Sequence, residues 1–218
     1  MPHALLHERL CKLLAIALLA TAAPACGGAI PTPTAANAPP PPALTKTDAP
    51  PTREAVAIKG SDLVRGRSRL VVLAPIDKVR RHVLNFDRYA EFMPHYSFSR
   101  ILTLRDDGGR QVMMEVEAIG GLIKMWTKIE MPPPRMEGNL EVHESEFVEG
   151  NVDDFKAIWR LRRLNDSHTE LSLEVFLEPS LPLPDSLINS ENVGGAFDGV
   201  IAMRNRIEGR PVESDDDD

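Results

Sequence analysis

The segment Leu183–Arg210, LPDSLINSENVGGAFDGVIAMRNRIEGR, constrains the fold more than any other stretch of the chain. Pro184 suits the first turn of a helix, where a missing N–H costs nothing. Gly209 and Pro211 form a stop signal after Arg204-Asn205-Arg206. Between them Leu187, Ile188, Glu191, Val193, Phe197, Val200, Ile201, Arg204 and Ile207 recur mostly at three- and four-residue spacings. That is the pattern of a long helix with one apolar stripe. Gly194-Gly195 interrupts it, each glycine weakening the helix by about 1 kcal/mol relative to alanine, and reads as a kink or a packing notch. The segment is too polar to span a membrane, so its stripe must lie on other parts of the chain.

Those parts read as strands. Leu63–Leu73 is rich in valine and leucine and suits a first strand. Ala74-Pro75 opens a helix with Ile76, Val79, Val83 and Leu84 on its apolar face. Asn85-Phe86-Asp87 breaks it, and Arg88–Phe92 is a second short helix stopped by Pro94. Tyr96–Leu104 and the turn Asp106-Asp107-Gly108-Gly109 begin a hairpin. Arg110–Ile119 alternates, with Val112, Met114, Val116 and Ala118 on one face. After Gly120-Gly121, Leu122–Met131 alternates again, with Ile123, Met125, Thr127, Ile129 and Met131 on one face, and Pro132-Pro133-Pro134 ends it. Met136–Glu146 reads as a polar strand near an edge. Val152–Arg163 turns Phe155, Ala157, Trp159 and Leu161 inward, with Lys156, Arg160 and Arg162 outward. Thr169–Glu178 turns Leu171, Leu173, Val175 and Leu177 inward, with Glu170, Glu174 and Glu178 outward. The turn near Asn165-Asp166 lays these basic and acidic outer rows side by side, which reads as a solvated face with weak ion pairs.

The N-terminus has a different character. Residues 1–25 have a short charged start with Arg9 and Lys12, then the apolar run Leu13–Ala20 and small residues, the layout of a secretory signal. Residues 26–53 are low in complexity and carry eight prolines, including Pro39-Pro40-Pro41-Pro42. Such a segment favours extended polyproline II, with a reach of at most roughly 80 Å at about 3.1 Å per residue. It reads as a tether, followed by a folded domain over 54–210 and an acidic, disordered tail over 211–218. The formal net charge of −7 argues against nucleic acid as a partner. Both cysteines, Cys11 and Cys26, precede the domain. The domain therefore has no disulfide, no thiol nucleophile and no cysteine metal site.

Two resemblances extend this reading. Ala23-Pro24-Ala25-Cys26 is similar to a bacterial lipobox, which implies lipidation of Cys26 as the mature N-terminus, stable anchoring to a membrane and a place in the exported cell envelope. Plain cleavage after Ala25, or an uncleaved anchor, fits the same layout. Val72–Val79, Asn85–His95 and Ser99-Arg100-Ile101 resemble the START-like superfamily in its coenzyme Q-binding and polyketide cyclase/dehydrase branches. Pro75, Val79, Asp87-Arg88-Tyr89, Phe92, Pro94 and Ser99 match, while Arg80 stands where an aromatic or large residue is usual. Pro179, Leu181, Pro182 and Pro184 match the approach to a long last helix. The resemblance spans about residues 63–208. It implies an α+β helix-grip fold: a bent antiparallel β-sheet wrapped around the long C-terminal helix, with two short helices after the first strand.

A helix-grip fold implies a cavity between sheet and helix. Its expected lining is Met114, Met125, Ile129, Phe155, Trp159, Leu173, Phe197 and Ile201, although residue by residue the same set also suits a filled core. No catalytic constellation is visible. His95 has no evident partner, and His82, His143 and His168 lack metal-ligand spacing. Glu115, Glu117 and Glu130 fall on the outer face, and there is no phosphate loop, GxSxG or HExxH. Trp126 lies on the outer face between Lys124 and Lys128. The favoured reading is a non-enzymatic module, without cofactor or metal, that holds a hydrophobic small molecule such as a lipid, quinone or polyketide-like compound. The alternatives are a cyclase/dehydrase-type enzyme using the same cavity, or an interaction lipoprotein with a filled core.

Overall fold

The computed structural model describes residue 43, residues 49–118 and residues 121–210. The signal segment, Cys26, most of the linker and the acidic tail lie outside the described residues. Ten strands and two α-helices follow in the order β1 (Glu54–Ala57), β2 (Val64–Val72), α1 (Ile76–Val83), β3 (Tyr96–Leu104), β4 (Arg110–Ala118), β5 (Ile123–Met131), β6 (Arg135–Glu137), β7 (Leu140–Glu144), β8 (Glu146–Gly150), β9 (Val152–Arg163), β10 (Thr169–Pro179) and α2 (Asp185–Glu208). A 3-10 helix, Phe86–Glu91, lies between α1 and β3.

All strand pairs are antiparallel. Six strands form one sheet in the order β1-β2-β10-β9-β7-β6, and four form a second in the order β3-β4-β5-β8. Strict alternation sets which side chains face the core. On β5 the residues Met125, Thr127, Ile129 and Met131 are buried while those between them are not. The β4–β5 register places Met114 opposite Thr127, Val112 opposite Ile129 and Val116 opposite Met125, so one apolar face is shared by both strands. The curved sheets and α2 form the α+β helix-grip arrangement.

Four local expectations are corrected. A first strand, β1, precedes the Val64–Val72 strand and pairs with it, so the short helices follow the second strand. The break after α1 falls at Leu84-Asn85, and Phe86 and Asp87 already belong to the 3-10 helix. The single polar strand over 136–146 is three strands: β6 and β7 extend the large sheet, and β8 crosses to the small one. The outer face of β9 and β10 is not solvated. Glu174 has a side chain only 2 % exposed, held by Arg65 at 3.0 Å, Arg67 at 2.7 Å and Arg160 at 3.1 Å. Arg162 and Glu170, also buried, pair at 3.2 Å. Long arginine side chains from β2 and β9 cover the carboxylates, and alternation alone does not report that cover.

Helix α2 is continuous through Gly194-Gly195 and ends at Gly209 in the left-handed region, φ 68°. Its buried residues are Ile188, Asn192, Ala196, Gly199, Val200, Ala202, Met203 and Ile207. The contact stripe thus keeps the expected Ile188, Val200 and Ile207 and adds small or polar positions, Asn192, Ala196, Gly199 and Ala202, while the expected Leu187, Phe197 and Ile201 are only partly buried. The reason is close approach: a Cβ on Gly66 of β2 would lie 1.8 Å from the Asn192 carbonyl oxygen of α2. The ladder between β2 and β10 stops at Gly66 opposite Val175. Where the next pair would form, α2 supplies the partners. Asn192 Oδ1 accepts from the Leu177 N–H at 2.9 Å, and Asn192 Nδ2 donates to the Val64 carbonyl at 3.1 Å. Asn189 Oδ1 accepts from the Val64 N–H at 2.8 Å. Two asparagines replace strand partners and satisfy backbone groups that would otherwise be unpaired.

Candidate functional site: a cavity between sheets and helix

The inward rows of β4, β5, β9 and β10, the 3-10 helix and the first half of α2 enclose a cavity of about 140 Å³. Six of the eight side chains expected there line it: Met114, Met125, Ile129, Phe155, Trp159 and Leu173. Phe197 and Ile201 do not. Phe197 turns away on α2 and stacks under the Arg53 guanidinium, 3.7 Å from the ring centre. Ile201 is half-buried against the core. The positions of α2 that do reach the cavity include Leu187, Glu191, Asn192, Gly195, Asp198 and Gly199. Leu187 and Glu191, with Ile188, belong to the expected stripe, and Asn192, Gly195, Asp198 and Gly199 lie beside it.

The interior is apolar and adaptable. Four buried methionines, Met93, Met114, Met125 and Met131, lie in its wall, and unbranched thioethers re-pack around ligands of different shape. Two glycines open the helix side. A Cβ on Gly195 would meet nothing within 4 Å, whereas one on Gly199 would press on Leu173 at 2.8 Å. The volume matches an engineered dry cavity of about 150 Å³ that accepts benzene. As it stands the space fits a ring or a short stretch of chain, and a longer ligand requires the methionines to move.

One end is aromatic. Tyr89 packs on Phe86 with ring centres 4.7 Å apart and meets Phe92 and Tyr96 edge-on at 5.7 Å each. The Tyr89 hydroxyl donates to the Val83 carbonyl at 2.5 Å, which ties the 3-10 helix to α1. Burial raises the Tyr89 phenol well above its usual range and pushes Tyr96 up to about 12. Both therefore keep their protons at neutral pH and act as donors, not bases. The Tyr96 hydroxyl has no hydrogen-bond partner among the described residues.

Polar groups gather where the 93–95 loop, the end of β4 and α2 meet. His95 has φ 67°, an uncommon conformation for a side-chain-bearing residue. Its carbonyl accepts from the Glu117 N–H at 2.7 Å. Glu117, expected to face outward, lies at the rim of the cavity with its carboxylate 3.1 Å from Lys124 Nζ. The Met93 methyl comes within 3.4 Å of a Cβ built on Gly199, which brings the same loop against α2. Trp126 is half-buried on the outer face of the small sheet, and its backbone N–H donates to Asn151 Oδ1 at 2.7 Å.

His143, outside the cavity lining, is bonded to a carboxylate. On β7 it lies two residues from Glu141, so both face inward. His143 Nε2 is 2.7 Å from Glu141 Oε1, and Arg80 Nε donates to the same carboxylate at 2.6 Å. Burial holds the imidazole below its usual pKa, against the pull of Glu141. Burial also pushes Glu141 up, but Arg80 and His143 outweigh it and keep the carboxylate low. Arg80 thus docks α1 on the edge of the large sheet. Among the described residues no group of three or more His, Cys, Asp or Glu could hold a metal ion. Among the same residues no helix is long and apolar enough to cross a membrane.

Fold and cavity together define a START-like helix-grip domain. A profile of the family described as polyketide cyclase / dehydrase and lipid transport matches residues 72–190, and the chain belongs to that family. Solved structures agree on the fold. The STAR-related lipid transfer protein from Xanthomonas axonopodis, 17% identical, superposes with a TM-score of 0.64 over 76% of this chain and 98% of that one. A START superfamily protein from Mycobacterium smegmatis, 19% identical, gives 0.55 over 66% and 97%. Human STARD10, 10% identical, gives 0.63 over 76% and 72%. No curated protein matches the chain.

Proposed function

We propose that the domain is a binding module, exported and tethered to a membrane, that holds a hydrophobic small molecule of the lipid, quinone or polyketide-like kind between its sheets and α2. The observation that carries this reading is a cavity of about 140 Å³ whose wall is made largely of methionines, aromatic rings and aliphatic side chains. A filled core would leave no such space. Membership of a family described by cyclases, dehydrases and lipid transport supports the ligand class. The tether is inferred from sequence: the signal-like start, Cys26, and the proline-rich segment that follows it. It would let the domain sweep a shell above the bilayer while remaining concentrated near it.

The test is native mass spectrometry of the full chain purified from the exported compartment, followed by solvent extraction. A stoichiometric apolar compound that is lost in Gly195→Trp supports the reading. A clean apo mass that also takes up no lipid, quinone or apolar dye overturns it. Metabolic labelling with a fatty acid tests the tether: label must appear on the wild type and vanish in Cys26→Ser.

A second reading, a cyclase or dehydrase, is favoured by one observation, the Tyr96 hydroxyl free to donate toward a bound carbonyl. It predicts conversion of a reactive polyketide-like chain that stops in Tyr96→Phe while binding persists. Equal product with both proteins would remove the basis for it.

A further inference from the structure

The face of the large sheet turned away from the cavity carries an arginine cluster. On β10, Leu173 lines the cavity, so its neighbours Ser172 and Glu174 lie on the opposite face. Glu174 is held by three guanidiniums, those of Arg65, Arg67 and Arg160. One carboxylate does not neutralise three cations. The next, Glu54, comes only within 3.9 Å of Arg67 and also pairs with Arg69. Positive charge is therefore left over on this face, in a chain whose net charge is −7. Arg160 commits one nitrogen, Nη1, to Glu174 at 3.1 Å. The rest of its five-donor fork bonds to nothing among the described residues.

Strand register supplies the second observation. Ser172 is paired with Arg69 on β2 and with Arg160 on β9. A short side chain thus stands between two long ones, with Cβ atoms about 5 Å apart along the row. Ser172 is 6% exposed, and its hydroxyl has no hydrogen-bond partner among the described residues. Most buried hydroxyls have one, because an unpaired donor is destabilising. We propose that this notch is an oxyanion site and that it takes a phosphate group. A tetrahedral oxyanion accepts from the Ser172 hydroxyl and, through two oxygens, from the Arg160 fork. The surplus of guanidinium charge favours a dianion over chloride. Free phosphate and the phosphate ester of a head group share this chemistry. The site lies across the sheet from the cavity and does not depend on what the cavity holds.

The experiment is isothermal titration calorimetry of the full chain with inorganic phosphate and with glycerol 3-phosphate, at constant ionic strength, with chloride as the control anion. One saturable site for phosphate and none for chloride is expected. Ser172→Ala removes only the unpartnered hydroxyl, so it should keep the wild-type urea midpoint yet bind at least about tenfold more weakly. Arg160→Lys keeps a cation beside Glu174 but loses the fork, and should weaken binding by a similar factor. Binding of glycerol 3-phosphate assigns the site to esters such as lipid head groups, and binding of inorganic phosphate alone assigns it to the free anion. No saturable site for either probe, or unchanged affinity in folded Ser172→Ala, overturns the inference. Saturating phosphate should leave uptake of an apolar dye by the cavity unchanged, so the two readings fail separately.

Discussion

Single residues carry three consequences. Glu174 sits among Arg65, Arg67 and Arg160 with almost no solvent contact. Burial alone would push its carboxyl up, but the arginines outweigh it and hold the pKa below the usual 4.5. As pH falls the unfolded chain therefore takes up the proton first. The stabilisation is fully present above pH 4.5 and is lost as pH drops through the lower folded-state value. Glu174→Gln should cost about 3 kcal/mol at neutral pH and flatten this acid limb, as read by urea denaturation at several pH values. An unchanged pH profile would remove Glu174 from the account. Gly195 is the converse case, a residue whose side chain would meet only open space. Gly195→Ala should raise stability by about 1 kcal/mol, while Gly195→Trp should obstruct the opening of the cavity, where Gly195 is exposed, and leave the fold intact by circular dichroism. Asn192→Leu leaves the Leu177 N–H and the Val64 carbonyl without their strongest partner. It should cost about 3 kcal/mol in chemical denaturation despite adding apolar volume; a neutral result would contradict the stitching role.

At the scale of elements, the strands were legible and the helix face was legible only in part. Period-two alternation has only two solutions, so Met114, Met125, Ile129, Phe155, Trp159 and Leu173 could be assigned to one side from spacing alone. A helix offers a continuum of faces, and α2 buries the expected Ile188, Val200 and Ile207 but adds asparagine, alanine and glycine where the sheet approaches it closely at Gly66. Large residues such as Phe197 and Ile201 flank that contact and mislead an apolar count. Gly66→Ala should therefore be among the most damaging small changes in the domain, since the opposing atoms are backbone. It is expected to cost about 3 kcal/mol or more in thermal or urea unfolding, and a loss near zero would mean that α2 is not gripped there. The buried charges escaped notice for a related reason. Glu174 is covered by arginines from β2 and β9, and the Arg80–Glu141–His143 contact joins α1 to β7. Neither is a local pattern. The signals were the basic and acidic rows that spacing laid side by side on β9 and β10 and the shared face of Glu141 and His143, and neither stated burial.

At the scale of the molecule, the fold could be read because motifs near the short helices and before α2 bracket the domain. The existence of a cavity came from the resemblance alone, since methionines and aromatic rings on a strand pack a core as readily as they line a pocket. The structure separates these by showing a space of about 140 Å³ walled by buried methionines and aromatic rings. Dye-binding titration of the full chain against its Gly195→Trp variant tests this most directly. The account predicts saturable binding with one site in the wild type, competition by a lipid or quinone, and at least about tenfold weaker binding in the variant. Equal binding by the two folded proteins would place the ligand elsewhere and contradict the account.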